Sequence, residues 1–155
     1  MVRRSACPPG GFDVRLPNVS DWLFLIEVAL EGKVAKVDRV LGRYRKHGKG
    51  ASDRTLELLD ESLMTLDLLL RKYPDRRDLA DACRIGKARY LAGEAYRQFP
   101  RNITLAQQLL ERAIALDPPN LRYRFLYQMS RYRPLATIAG KVMPRVKYFI
   151  KEHAA

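Results

Sequence analysis

Hydrophobic positions follow two patterns along the chain, and the change between them falls near residue 53. In the first part, residues 22–30 are apolar except for Glu27, and they lie between a Pro-Pro-Gly-Gly stretch and Gly32. A run of this kind predicts a helix that is buried on nearly all sides, with Ser20 as its N-cap and Gly32 as its end. Residues 34–45 are rich in β-branched side chains and predict one or two short strands.

From Asp53 onward, apolar residues recur at steps of three and four, which predicts amphipathic helices. The first of these helices is expected to begin at Asp53 and to stop at Pro74. The second is expected over residues 75–98 and the third over residues 104–116. The sequence therefore predicts a mostly α fold, in which a partial α/β segment over residues 1–52 precedes an antiparallel helical bundle over residues 53–155.

Five features of residues 1–52 follow one another in a recognisable order. They are RRSACPPGGFD, then SDW after a short spacer, an apolar helix ending in glycine, a strand, and YRKHGKGAS. In this order and spacing they resemble the last third of the catalytic domain of family 2 glycosyltransferases. The resemblance implies that the α/β segment is the C-terminal end of a nucleotide-sugar glycosyltransferase fold. It also implies an inverting transfer of a sugar from a nucleoside-diphosphate donor to a hydroxyl acceptor.

The resemblance assigns roles to particular residues. Asp21 matches the family's general base, although Ser20 stands where the family usually has a second acid. Such a base takes the proton from the acceptor hydroxyl as that hydroxyl attacks the anomeric carbon. Arg45 and His47 match the family's Tyr-Arg-x-His segment and are expected near the donor's diphosphate, where positive charge stabilises the leaving group. His47 is also a candidate metal ligand, and four further residues are expected to line the cleft or contact the acceptor: Gly10, Gly11, Trp22 and Tyr44.

The half of the family's catalytic domain that binds the donor and the metal has no counterpart in the sequence. The complete family enzyme is expected to use a divalent cation, Mn²⁺ or Mg²⁺. This chain, however, contains no Asp-x-Asp motif and no Gly-rich phosphate loop. The sequence therefore predicts a truncated transferase, which binds donor and acceptor only if a complete site forms.

Residues 84–118 carry a second, partial resemblance, to a tetratricopeptide repeat. Small residues at the matching positions allow two helices to pack closely as a hairpin. A single repeat cannot bury its own apolar face, so we expect a helical hairpin that packs on its neighbours. The matching positions are Gly93, Tyr96, Ala106, Leu110, Ala113 and Pro118.

The net charge of +12 is concentrated at the C-terminal end: +5 over residues 1–54, −3 over 55–83 and +10 over 84–155. Nucleic acid and an anionic membrane surface are the two partners that such basicity suggests. Residues 120–132 interleave aromatic and basic side chains, but no recognised nucleic-acid motif accompanies them. A core-facing aromatic stripe with solvated arginines is the favoured interpretation. Residues 135–151 form a basic amphipathic stretch that suits either a peripheral membrane contact or an ordinary docking helix.

Several features bear on the location of the protein. No run of eighteen apolar residues occurs, and the N-terminal basic residues are followed by proline and glycine rather than by an apolar segment. Cys7 and Cys83 lack the spacing of metal ligands and are expected to be free thiols. These observations predict a cytoplasmic protein, and the basic stretch at 135–151 leaves open a position at the inner face of the membrane.

Three functional hypotheses follow from the sequence. The first is a truncated inverting glycosyltransferase with a helical extension. The second is a non-catalytic helical interaction module that retains a remnant of the enzyme. The third is a basic nucleic-acid-binding protein, which the absence of a recognised motif disfavours.

Overall fold

A computed structural model of the chain describes residues 2–43 and 55–131. This part is mostly helical, with a short 3₁₀ helix at Arg4–Ala6 and five α-helices. The chain divides into two compact units, Met1–Lys72 and Tyr73–Ala155. The α-helices are α1 (Ser20–Glu31) and α2 (Thr55–Lys72) in the first unit, and α3 (Arg77–Gln98), α4 (Ile103–Leu116) and α5 (Leu121–Ser130) in the second.

The predicted strands over residues 34–45 are not supported by the structure. Residues 33–43 are exposed and non-helical, and no β-strand occurs in the described ranges 2–43 and 55–131. A strand requires a neighbour with which its backbone groups can pair. No backbone hydrogen bond outside the helices involves residues 33–43 within the described part of the chain. β-Branched side chains alone therefore do not produce a strand here.

Helix α1 has the predicted ends but not the predicted burial. It begins at Ser20 and is followed by Gly32, and Asp21 lies in its first turn. Its N-cap is Val19 and no side chain caps it, so the prediction of Ser20 as N-cap was displaced by one residue. The prediction of burial on nearly all sides was wrong, because Leu23 is the one residue of α1 that is buried.

Helix α2 buries an apolar stripe. The buried residues include Leu59, Leu66 and Leu69, together with Leu16 from the loop before α1. The helix ends at Lys72, two residues before Pro74, which confirms the predicted stop. The predicted start at Asp53 lies outside the described residues.

Helices α3 and α4 form the predicted hairpin in the second unit. Arg84 near the start of α3 donates from Nη1 to the carbonyl oxygen of Leu116 at the end of α4, at 2.5 Å. Since the other ends are joined by a short connection, the two helices run antiparallel. Ala106 and Ala113 of α4 are fully buried, and their small side chains allow this close packing. Tyr90 of α3 is 39% exposed.

Helix α5 completes the second unit by packing on α4. Gln107 of α4 donates to the carbonyl oxygen of Ser130 at 3.2 Å, so these two helices are also antiparallel. Tyr123 and Leu126 are buried, as an aromatic stripe facing the core requires, whereas Phe125 is 59% exposed. The core-facing interpretation therefore holds for only part of this helix.

Candidate functional site

The loop before α1 is held by short-range contacts that follow from its sequence. The N–H of Gly11 donates to the carbonyl oxygen of Pro8 at 3.0 Å and closes a turn. Gly11 adopts a φ of +62°, a conformation that favours glycine because other residues meet a steric penalty from Cβ. The Phe12 ring lies against Phe24 of α1, with 4.9 Å between ring centroids. These contacts attach the loop to the helix.

Asp13 and Arg15 form a bidentate ion pair within this loop. Arg15 Nη2 lies 2.6 Å from Asp13 Oδ2, and Arg15 Nε lies 2.9 Å from Asp13 Oδ1. The backbone N–H of Arg15 also donates to Asp13 Oδ1, at 2.9 Å. The side-chain hydrogen bonds from Arg15 lower the pKa of Asp13 to about 2. A carboxylate with so low a pKa is a weak proton acceptor near neutral pH, so Asp13 does not suit the role of a general base.

A cavity of about 580 Å³ lies in the N-terminal unit. Its walls are the loop residues 8–11 and 13–15, Leu23 and Glu27 of α1, and Leu68, Arg71 and Lys72 from the last turns of α2. The wall is therefore partly apolar and partly charged. Such a wall offers a ligand both apolar surface and charged groups.

Two charged residues of α2 give the cavity its electrostatic character. Lys72 Nζ lies 2.9 Å from Glu27 Oε1 and links the end of α2 to α1. The neighbouring Arg71 is exposed, and its guanidinium has no ion-pair partner among residues 2–43 and 55–131. Among the described residues, the cavity thus contains neutral ion pairs and one unpaired cation, Arg71, which can bind an anionic ligand.

The structure brings only some of the sequence-predicted site residues to this cavity. Gly10 and Gly11 line it. Asp21 is exposed and does not line it, and its Oδ1 accepts the backbone N–H of Trp22 at 2.8 Å. Successive residues of an α-helix are rotated by about 100° around its axis. Asp21 therefore lies about 140° around the axis of α1 from the side that carries Leu23 and Glu27. Trp22 is half-buried and also lies off the cavity.

The other predicted site residues, Tyr44, Arg45 and His47, lie outside the described residues, as does the basic stretch 135–151. Within residues 2–43 and 55–131, no group of three or more His, Cys, Asp or Glu side chains could hold a metal ion. No helix in the same ranges is both long enough and apolar enough to cross a membrane.

Sequence reasoning overlooked four of the five charged residues that line the cavity, namely Arg15, Glu27, Arg71 and Lys72. Glu27 carried a signal, because it is the single charged residue in an otherwise apolar run. Arg71 and Lys72 carried none, since basic residues are common in the last turn of a helix, where they interact favourably with the helix dipole.

Comparisons of the chain with protein-family models, with curated proteins and with solved structures found no match. The function is therefore inferred from the residues of the chain and from their arrangement.

Proposed function

We propose that the chain forms the C-terminal part of the catalytic domain of an inverting glycosyltransferase, followed by a helical extension. The reaction is the transfer of a sugar from a nucleoside diphosphate to an acceptor hydroxyl, with Asp21 as the general base. The proposal is carried by the exposed Asp21 carboxylate in the first turn of α1, which follows the Gly10-Gly11 loop in the order typical of family 2 glycosyltransferases.

The surroundings of Asp21 suit a base. Its Oδ1 accepts the N–H of Trp22, whereas Oδ2 has no hydrogen-bond partner among the described residues. An acceptor hydroxyl could therefore approach Oδ2 without displacing another side chain. Asp13 differs in this respect, because Arg15 occupies both of its oxygens. Of these two carboxylates, only that of Asp21 therefore leaves an oxygen open to an acceptor hydroxyl.

Exposed apolar groups on α1 and in the segment that follows it favour a further, strand-rich part of the catalytic domain that covers them. Leu25 lies one helical turn after Asp21 and is 53% exposed. The non-helical residues 33–43 expose several large apolar side chains, namely Val34, Val37, Val40 and Leu41. Several large apolar side chains exposed along one segment suit an interaction surface. We propose that residues 33–43 add a strand to the sheet of the donor-binding part, which completes the α/β segment.

The proposal is tested by measuring sugar transfer with the longest polypeptide that the reading frame of this chain encodes. Uridine and guanosine diphosphate sugars are supplied with Mn²⁺ or Mg²⁺, and the released nucleoside diphosphate and the anomeric configuration of the product are measured. The expected result is release of the nucleoside diphosphate, with an inverted product. A polypeptide that is folded by circular dichroism but releases nothing from any donor would contradict the proposal.

A further inference from the structure

The cavity of the N-terminal unit has a charge balance that the proposed sugar transfer does not use. Asp13 neutralises Arg15, with 2.6 Å between Asp13 Oδ2 and Arg15 Nη2. Glu27 neutralises Lys72, with 2.9 Å between Glu27 Oε1 and Lys72 Nζ. Arg71 has no ion pair among the described residues. The charged groups that line the cavity therefore leave one net positive charge, located on Arg71.

An unpaired arginine beside a cavity favours a particular ligand chemistry. The planar guanidinium presents parallel N–H donors that match the two oxygens of a carboxylate. A ligand with a single negative charge balances the cavity, whereas a second negative charge would be repelled by the carboxylates of Asp13 and Glu27. The charge balance therefore favours a monoanion over a dianion such as a phosphate monoester.

The rest of the cavity suits the apolar body of a small molecule. Its volume of about 580 Å³ falls in the range of roughly 300–1,000 Å³ that small-molecule sites occupy. Pro8, Leu23 and Leu68 contribute apolar surface to its wall. A Cβ atom added at Gly10 or Gly11 would meet no other atom within 4 Å, so the space beside this backbone is open.

We propose that this cavity binds a small organic acid as its carboxylate. Arg71 pairs with the carboxylate, and the apolar body of the ligand contacts Pro8 and Leu68. The site does not include Asp21, which lies on the other side of α1. Binding in the cavity is therefore expected whether or not the chain takes part in sugar transfer.

Three probes with the same aromatic body and different head groups test this proposal. The probes are 1-naphthoate, 1-naphthalenemethanol and 1-naphthyl phosphate, which carry one, no and two negative charges at about pH 8. Binding to the full chain is measured by isothermal titration calorimetry. We expect 1-naphthoate to bind at least about tenfold more tightly than either of the other two, because it alone matches the net charge of the cavity.

Variants at position 71 identify the residue responsible. Arg71→Gln is expected to weaken 1-naphthoate binding about tenfold or more, and Arg71→Lys to weaken it less, since lysine keeps the charge but not the paired donors. Arg39→Gln is the matched control, because Arg39 is exposed, lies in the same unit and does not line the cavity. Absence of 1-naphthoate binding, equal binding of the neutral alcohol, tighter binding of the phosphate, or equal losses in Arg71→Gln and Arg39→Gln would each overturn the proposal.

Discussion

Glu61 of α2 accepts hydrogen bonds from both the backbone N–H and the side-chain amide of Asn18, at 2.8 and 2.5 Å. The two residues are 43 positions apart in the sequence. The loop that precedes α1 is thereby attached to α2, and the two carboxylate oxygens have separate donors. This contact helps to fix the loop and the two helices that form the cavity.

Replacement of Glu61 by alanine is expected to destabilise the N-terminal unit by about 2 kcal/mol. Hydrogen bonds to a charged group contribute about 1.5–3 kcal/mol each, and their loss leaves the Asn18 donors without their acceptor. Urea unfolding followed by the fluorescence of Trp22, the single tryptophan, measures the change. Asp60→Ala is the control, because Asp60 is an exposed neighbour on α2 and its loss should cost less than about 0.5 kcal/mol. Equal effects of the two variants would contradict the role of Glu61.

Two neighbouring glycines should respond differently to alanine. Gly11 has a φ of +62°, so Gly11→Ala is expected to cost about 1 kcal/mol or slightly more in unfolding free energy. Gly10 is not in the left-handed region, and an added Cβ there meets nothing within 4 Å. Gly10→Ala should therefore have no effect or a small stabilising one. Urea denaturation of both variants tests this difference, and a larger loss in Gly10→Ala would show that the turn has another conformation.

Amide hydrogens over residues 33–43 are expected to exchange rapidly in the isolated chain. The backbone of this segment makes no hydrogen bond outside the helices within the described residues, and its side chains are exposed. Exchange there should approach the rate of an unfolded peptide, whereas amides in the middle of α1 and α2 should be protected. Hydrogen exchange measured by mass spectrometry resolves these segments. Protection of residues 34–43 in the monomer would mean that they already pair as a strand.

The Asp13 and Arg15 pair predicts a specific dependence on pH. Because the folded-state pKa of Asp13 is lowered to about 2 from its ordinary 3.8, the pair stabilises the loop above about pH 4. That contribution is lost as the pH falls from 3.8 towards 2. Titration of the Asp13 carboxyl by NMR should therefore give a midpoint near 2. In Arg15→Gln the midpoint should return towards 3.8, and an unchanged midpoint would exclude Arg15 as the cause.

The helices were predictable from the sequence because their signals are local. The apolar repeat between Asp53 and Pro74, and the stops at Pro74 and Gly32, depend only on neighbouring residues. The strands were not, since a strand depends on a partner that local sequence does not specify. The valines at 34, 37 and 40 favour a strand but are exposed in the structure.

The cavity was only partly predictable. Gly10 and Gly11 were singled out as cleft residues, and they line it. Arg71 could not be assigned to it from the sequence, because the cavity joins segments about 60 residues apart in the chain and a basic residue in the last turn of a helix is common. Conversely, Asp21 was expected to share a cleft with the glycine loop. It lies instead on the other face of α1. In the proposed enzyme, the donor-binding part would therefore pack against that face of α1.

The role of Asp21 is tested most directly by comparing Asp21→Asn with Glu31→Gln in the sugar-transfer assay. Asparagine keeps an oxygen that can accept the N–H of Trp22, so the start of α1 is preserved while the base is lost. Glu31 is an exposed carboxylate at the other end of the same helix. We expect kcat for transfer to fall about 100- to 10,000-fold in Asp21→Asn, the usual contribution of general-base catalysis, and to remain unchanged in Glu31→Gln. Equal rates in the two variants would contradict the assignment of Asp21 as the base.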